Sequence, residues 1–310
     1  MKIELIRNDG WIEGKYFSER FQCELDVSAE ITENISEEYV QRCVDAVEGF
    51  SDAMLDEICE AAKRYCLAFI RVEKDAQGDE YQVTEPYQSV TKDTPARELL
   101  HLVSFHSLVI DGIENEDLLY FRLSGGCDWE IEYGIEADFL DNQLFYLGSF
   151  EHVEADDDYY SSGKGMQWNY ALTDEQITAP ILAALGEIAD LGSSGGVSDA
   201  EIDEAEQTLQ LLFPKEYRVI LRKYGSIDFF AHEWTGLGFD GYLNVVNMTQ
   251  RERELNEALA EKLFVLEDAG IDGIIIAANE MGDVFQVRSD SCKQIHDSIL
   301  AYLQWCLREK

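Results

Sequence analysis

The chain has 310 residues with 46% hydrophobic side chains, enough to bury two cores of ordinary domain size. Its 63 acidic and 24 basic residues give a formal net charge of -39, and a field of that sign repels nucleic acid and anionic membranes. No apolar run approaches the roughly 20 residues of a membrane span. Asp9 also lies where a signal peptide has its apolar centre, so we expect a cytoplasmic protein.

The negative charge is concentrated in the first part of the chain. Residues 1–190 hold 42 acidic and 13 basic residues, whereas residues 191–310 hold 21 and 11. A basic partner would be steered toward the first part by this field. Acidity of this kind also serves solubility or suits a salt-rich habitat, so the charge by itself does not identify a partner.

The first part of the chain combines strand and helix patterns. Alternating apolar side chains predict a strand at residues 2–7, and a helical period over residues 36–71 predicts two helices. Alternation resumes at residues 102–110 and 118–123, and a hairpin is predicted to turn at residues 141–142. These elements favour an antiparallel sheet packed with helices, which is the α+β class.

A short run rich in glycine precedes the predicted hairpin. Its pattern is Gly-Cys-x-Trp-x-x-Glu-x-Gly followed by a strand with a phenylalanine: Gly126, Cys127, Trp129, Glu132, Gly134 and Phe139. This run resembles a small sheet domain of uncharacterised bacterial proteins, often encoded beside toxin and immunity genes. A glycine turn with a half-buried tryptophan explains the same residues equally well.

Residues 111–158 contain fifteen acidic residues and a single basic one, Arg122. Carboxylates interleaved with aromatic rings can meet a basic protein surface, because charge guides the encounter and the rings supply buried area. The candidate partner-binding residues of this region are Asp128, Trp129, Glu130, Glu154, Asp156, Asp157, Asp158, Tyr159 and Tyr160. A solvated acidic loop is the competing interpretation. A calcium site is not expected, since the spaced ligands of an EF-hand loop are missing.

Composition suggests a domain boundary after residue 190. Residues 174–190 read as a short helix, and the glycines and serines of residues 191–197 predict a flexible linker. We therefore predict an acidic α+β domain over residues 1–190 and a second domain over residues 198–310, each built on a largely antiparallel sheet packed with helices.

The second domain opens with two helices that form a corner. Ser198 and Glu201 have the spacing of a capping box, Pro214 suits the first turn of the next helix, and Gly225 suits its end. Later elements are a strand-like segment at residues 242–246, a polar helix at residues 250–262, strands at residues 264–267, 273–278 and 284–288, and a closing helix at residues 291–307.

The order of these signals resembles the SUKH superfamily, which contains bacterial immunity proteins and fungal regulators of cell-wall assembly. The residues that carry the resemblance are Ile202, Ala205, Glu206, Leu209, Phe213, Pro214, Tyr217, Leu221, Tyr224, Gly225, Ile227, Trp234, Gly236, Leu237, Tyr242, Leu243, Asn244, Val245, Val246, Thr249, Arg251, Arg253, Leu266, Glu267, Asp268, Gly270, Ile271, Asp272 and Gly273. Phe213 replaces the leucine that the family usually has before the proline. Trp234 and Tyr242 are further candidate partner-binding residues.

The sequence contains no recognisable catalytic constellation. The five histidines are scattered without metal-ligand spacing, and neither a nucleophile elbow nor a phosphate-binding loop is present. The glycines at 236, 238 and 241 fit a dinucleotide-binding pattern, but a strand-like segment follows them where a helix is required. We therefore expect no cofactor, no metal and no enzymatic activity.

The resemblance implies a bacterial immunity protein that binds and neutralises a cognate toxin. The charge suggests that the toxin is basic, as a nuclease is, and that acidic and aromatic side chains occlude its active surface. The main alternative is an intracellular regulatory or scaffold module without a toxin partner, and a hydrolase in the first domain is a third hypothesis. The toxin's identity and the oligomeric state are not predicted.

Overall fold

A computed structural model describes residues 2–111, 117–151, 153, 160, 164–271 and 273–308. The chain forms two compact units, Met1–Leu172 and Thr173–Lys310. Each unit is built on a seven-stranded sheet. The prediction of an α+β protein with two largely antiparallel sheets packed with helices is confirmed.

The sheet of the first unit follows the order of the chain. Its strands are β1 (Leu5–Asn8), β2 (Trp11–Ser18), β3 (Cys23–Glu30), β4 (Val103–Ile110), β5 (Tyr120–Cys127), β6 (Ile135–Leu140) and β7 (Gln143–Gly148). Neighbouring strands are antiparallel except for β3 and β4, which run parallel. Parallel neighbours need a long crossover, and both α-helices of this unit lie in the β3–β4 connection.

Two helices, α1 (Glu37–Glu48) and α2 (Asp52–Gln77), form that crossover. Each begins at a serine whose side chain accepts an N–H of the first turn, Ser36 in α1 and Ser51 in α2. Their apolar faces pack on the sheet in one hydrophobic core with residues such as Val27, Leu108 and Phe121. Short 3₁₀ helices lie at Gly78–Glu80, Pro86–Ser89, Ala96–His101 and Lys164–Trp168.

The second unit contains α3 (Asp174–Gly186), β8 (Gly192–Ser193), α4 (Asp199–Leu209), α5 (Lys215–Tyr224), β9 (Ile227–Phe229), β10 (His232–Trp234), α6 (Val245–Leu255), β11 (Phe264–Asp268), β12 (Ile275–Ala278), β13 (Val284–Arg288), β14 (Ser291–His296) and α7 (Ile299–Arg308). The strands pair antiparallel in the order β14-β13-β12-β11-β10-β9-β8. Side chains of α3, α4, α5 and α7 share one core with the sheet, and Met248 of α6 belongs to a second, smaller core.

The segment predicted as a flexible linker is part of the second unit's structure. Gly192 and Ser193 pair with β9, and the N–H groups of Gly195 and Val197 donate to the carbonyls of Tyr224 and Leu221 at 3.0 and 3.1 Å. Glycine is needed here because the backbone lies against α5. The preceding helix α3 also packs against α5 and α7. The division between the units thus falls between Leu172 and Thr173, earlier than the predicted linker.

Three predicted elements of the second unit differ from the structure. Helix α6 begins at Val245, inside the segment predicted as strand-like at residues 242–246, and Asn244 caps it by accepting the N–H groups of Val246 and Asn247. The same helix ends at Leu255, so the polar helix predicted at residues 250–262 forms only in its first part. The predicted closing helix at residues 291–307 begins instead as strand β14, paired with β13, and only α7 is helical.

The α4–α5 corner is held by a buried ion pair. The Glu206 carboxylate accepts the backbone N–H of Phe213 at 2.7 Å and a guanidinium N–H of Arg218 at 2.6 Å. Arg218 also reaches Asp203 at 2.9 Å. Glu206 is almost completely buried, so its charge needs hydrogen-bond donors such as these.

Substituting Glu206 with alanine should lower the free energy of unfolding of the second unit by about 2 kcal/mol, because Phe213 and Arg218 lose a buried acceptor. The loss stays moderate since Arg218 keeps Asp203. Urea unfolding monitored by circular dichroism measures the change. Glu204→Ala, at an exposed position of the same helix, is the matched control, and an equal loss in both variants would contradict this role.

Candidate partner-binding surfaces

The loop between β5 and β6 forms a rigid turn, here called the acidic turn and defined as residues 128–134. Backbone hydrogen bonds close it at both ends, from Asp128 N–H to the Leu102 carbonyl at 2.9 Å and from Gly134 N–H to the Glu130 carbonyl at 3.0 Å. The Glu130 carboxylate accepts the N–H groups of Glu132 and Tyr133 at 3.0 and 3.3 Å. The backbone of the turn is therefore preorganised.

The base of the acidic turn is buried in the first unit's core. The Trp129 ring is inside the core, edge-on to Tyr65 at 5.6 Å between ring centroids. The neighbouring Cys127 thiol donates toward the Gly134 carbonyl at 3.5 Å, and burial raises the pKa of this thiol to about 12. Trp129 anchors the turn, so its predicted role in contacting a partner is not supported by its position.

The outer side of the acidic turn exposes apolar and acidic groups together. The Ile131 side chain is 92% exposed and Tyr133 is 57% exposed. Asp128 and Glu132 are also exposed, and Glu130 is half-buried. Carboxylates surrounding accessible apolar side chains suit a basic protein surface with an apolar centre. Asp128 and Glu130 were predicted from the sequence, whereas Ile131 and Tyr133 were missed.

Of the other predicted residues of the first unit, only Tyr160 is described. Its ring is half-buried against Tyr146, with ring centroids 4.9 Å apart. Glu154, Asp156, Asp157, Asp158 and Tyr159 lie outside the described residues. The role of all six in binding a partner stays a prediction.

The two predicted residues of the second unit have opposite environments. Trp234 is fully buried and stacks on Tyr302 at 5.7 Å between ring centroids, so it is a core residue and does not face a partner. Tyr242 is exposed, and its hydroxyl donates to the Glu233 carboxylate at 3.0 Å. Of this pair, only Tyr242 is accessible.

Phe230 is an exposed residue that the sequence patterns did not identify. It lies between β9 and β10, where its φ of 52° is unusual for a bulky side chain. A two-residue turn between antiparallel strands requires a positive φ at its first position, and the pairing of Phe229 with His232 puts Phe230 there. Its ring is exposed to solvent although Phe229 beside it is buried. Phe230 therefore joins Tyr242 as an accessible aromatic residue of this unit.

A buried set of polar groups links β10, β11 and α7. The Glu267 carboxylate accepts the Tyr302 hydroxyl at 2.6 Å and lies 2.8 Å from Nδ1 of His232. Burial and the charge of Glu267 raise the pKa of Tyr302 far above its usual value, so the phenol stays neutral and donates. We interpret this set as a structural support for the sheet. Among the described residues, no group of three or more histidine, cysteine or acidic side chains could hold a metal ion.

The fold and these surfaces define a two-domain α+β protein with exposed aromatic and acidic loops. Residues 199–303 match the family model described as SMI1-KNR4 cell-wall, and residues 2–153 match the model of a domain of unknown function, DUF6985. The second unit is a SUKH-superfamily domain, as the order of its sequence signals indicated. In the part of the chain that the structure describes, no helix is both long and apolar enough for a membrane span.

Proposed function

We propose that this chain is a non-enzymatic immunity protein that binds a basic protein toxin and occludes its active surface. The SUKH domain supports the class, because this superfamily includes immunity proteins as well as the SMI1-KNR4 proteins. The net charge of -39 supports a positively charged partner. A nuclease suits this description, since its substrate is a polyanion and its cleft is basic.

The observation that carries the proposal is the display of Ile131 and Tyr133 on the acidic turn. A side chain of this size that is 92% exposed contributes nothing to the core, whereas it can bury most of its area against a partner. The fixed backbone of the turn lowers the entropy cost of binding. Asp128 and Glu132 beside it can pair with lysine or arginine and compete with a phosphate substrate.

Binding should depend on the two apolar side chains of the turn. We expect Ile131→Ser with Tyr133→Ser to weaken binding to the toxin about a hundredfold, because each truncation removes a central anchor. The measurement is titration calorimetry of the full chain with the toxin encoded by the adjacent gene, at fixed salt. Val83→Ser removes a similarly exposed apolar side chain elsewhere in this unit and is the control.

The same pair of proteins tests the class of function. A toxin that arrests growth alone, and does not when this chain is co-produced, supports immunity. If the turn variant and the Val83→Ser control bind the toxin equally well, the turn is not the binding site. If the full chain neither binds the toxin nor protects toxin-producing cells, the proposed function is wrong.

A regulatory or scaffold role is the second candidate, and the cell-wall description of the matching family favours it. Such a module would still bind a protein, so the turn could serve it equally well. Only the immunity function predicts a toxin gene next to this one and protection of toxin-producing cells from growth arrest. A chain encoded without a toxin gene, and without effect on toxin-producing cells, would be assigned to this class.

A further inference from the structure

One face of the first unit's sheet is accessible over strands β1, β2 and β3. Residues of β2 and β3 that point toward α1 and α2 are buried, as for Ile12, Tyr16 and Leu25. Their neighbours in the strands point the opposite way and are accessible to solvent. This open face consists of Ile6, Asn8, Trp11, Glu13, Lys15, Phe17, Glu24, Asp26, Ser28 and Glu30.

Two exposed aromatic residues mark the ends of the open face. Trp11 and Phe17 are 42% and 50% exposed, and they lie on one side of the same strand. They are six positions apart in the strand, which is about 20 Å. Each has a carboxylate opposite on β3, Glu30 for Trp11 and Glu24 for Phe17. The exposed Ile6 pairs with Glu13 on the neighbouring strand and adds apolar area near Trp11.

The space between the two rings is acidic. Four carboxylates share the open face with one cation, Lys15. Its ammonium group lies 2.8 Å from Glu24 and 3.0 Å from Asp26, and hydrogen bonds to these carboxylates raise the pKa of Lys15. Lys15 offsets one of the four carboxylate charges, so a partner meets a net negative charge on the open face.

The charge of the open face selects among its possible occupants. A second copy of this chain would bring the same carboxylates against it, and nucleic acid or an anionic membrane would bring phosphates, so each is repelled. A basic protein surface brings opposite charge. We infer that the open face is a second docking surface, which binds a lysine- or arginine-rich protein segment with apolar side chains over Trp11 and Phe17.

This surface is distinct from the acidic turn and does not depend on the partner's being a toxin. Its geometry favours an extended segment, because side chains two residues apart lie on one face of such a chain, so apolar residues six positions apart reach the two rings and basic residues between them reach the carboxylates. The aromatic rings supply buried area, and the carboxylates between them set the orientation.

The test uses the full chain labelled with 5-fluorotryptophan, whose five tryptophans give separate ¹⁹F signals. The probe is the peptide Leu-Ser-Lys-Ser-Lys-Ser-Leu, whose leucines and lysines share one face of an extended chain, and the control peptide replaces both lysines with glutamate. The Trp11 signal, assigned with Trp11→Phe, should shift saturably with the lysine peptide and not with the glutamate peptide. Phe17→Ser should weaken this binding about tenfold, and Val83→Ser should leave it unchanged.

Two results would overturn the inference. One is a Trp11 signal that stays fixed, or that moves no more than the exposed Trp168 and Trp305 signals. The other is equal affinity of the Phe17→Ser and Val83→Ser proteins for the lysine peptide. The turn variant with Ile131→Ser and Tyr133→Ser separates this surface from the proposed immunity function. It should bind the lysine peptide as the original protein does and bind the toxin more weakly. Loss of the peptide in that variant would assign the peptide to the turn instead.

Discussion

Replacing Arg122 with methionine should lower the free energy of unfolding of the first unit by about 4 kcal/mol. Arg122 lies on β5, on the face of the sheet opposite α1 and α2, and its side chain is buried. Its guanidinium contacts Asp111 at 2.9 Å and Asp138 at 3.3 Å, and lies 4.0 Å from Glu136. Glu136 and Asp138 have no solvent exposure. Methionine would keep most of the volume and leave these carboxyl groups without their cation.

The same arginine connects the sheet to the segment after β7. It donates to the carbonyl of Val153 at 2.9 Å, and the N–H of Val153 donates to Glu136 at 3.3 Å. The Tyr120 hydroxyl donates to that carbonyl as well. Loss of Arg122 would therefore weaken the attachment of Val153 as well as the balance of buried charge. Local exchange of the Val153 amide hydrogen should accelerate in the variant.

Asp138 lies between the Arg122 guanidinium and the Tyr120 hydroxyl. The hydroxyl, whose proton also points to the Val153 carbonyl, donates to the Asp138 carboxyl at 3.1 Å. Burial, together with the charge of Glu136, raises the pKa of Asp138 well above its usual range. Asp138→Asn keeps an oxygen that accepts the Tyr120 hydroxyl, and Asp111 and Glu136 still face Arg122, so it should lower stability less than Arg122→Met does, by about 1 kcal/mol.

Urea unfolding of the first unit, followed by circular dichroism and by Trp129 fluorescence, measures both variants. Arg97→Met is the matched control, because Arg97 forms an exposed ion pair with Asp56 that should contribute less than about 1 kcal/mol. If Arg122→Met is as stable as Arg97→Met, the buried ion pairs offset their own desolvation and the argument fails.

Local signals predicted the elements that contain their own stabilising groups. The capping box of Ser198 and Glu201 forms as its spacing indicates, and α5 ends at Gly225 with a φ of 75°. Apolar and polar side chains alternate in residues 118–123, and most of these residues lie in β5. In each case the information lies within a few residues of the chain, so no tertiary contact is needed to read it.

Elements that depend on distant partners were mispredicted. Strand β14 has mostly exposed polar residues, as edge strands often do, and only pairing with β13 makes it a strand. The glycines before α4 indicated flexibility by composition, yet a Cβ at Gly196 would lie 2.2 Å from the Arg222 carbonyl. Close approach of the α5 backbone explains Gly196, and a φ of 99° explains Gly195; neither can be read from the segment alone.

The candidate site was only partly predictable for a related reason. Composition identified carboxylates beside aromatic rings, but it does not determine which way a ring points. Trp129 turned inward, and Ile131, two residues later in the same turn, became the most exposed large apolar side chain in the described part of the chain. An apolar residue in a predicted turn between two glutamates was the signal that could have found it.

The second unit should become less stable as pH rises from about 4.5 to about 7, through the carboxyl of Glu216. This residue lies in the first turn of α5 and accepts the N–H of Leu300, in the first turn of α7, at 3.2 Å. Burial raises its pKa from 4.5 to about 7, although hydrogen bonds from the Leu300 and Ile299 amides oppose that rise. Lys215, the neighbour of Glu216 in the chain, is paired with Asp174 at 3.2 Å.

The sign follows from where the proton is bound. Between pH 4.5 and 7 the folded unit keeps the proton on Glu216, whereas the unfolded chain releases it. Unfolding thus releases a proton, and higher pH favours unfolding. The stabilisation is complete below about pH 4.5 and is lost as pH passes through 7. A shift of this size corresponds to about 3 kcal/mol.

Glu216→Gln isolates this contribution from the other carboxylates of the chain. Glutamine keeps an oxygen that accepts the Leu300 N–H and carries no charge at any pH. The variant should match the original protein near pH 4.5 and exceed it by about 3 kcal/mol at pH 8. Urea unfolding of both proteins across this range gives the difference, and Glu204→Gln, at an exposed position of α4, should show none. A variant that is less stable at pH 8 would mean that the ionised carboxylate gains more from the N-terminus of α7 than burial costs it.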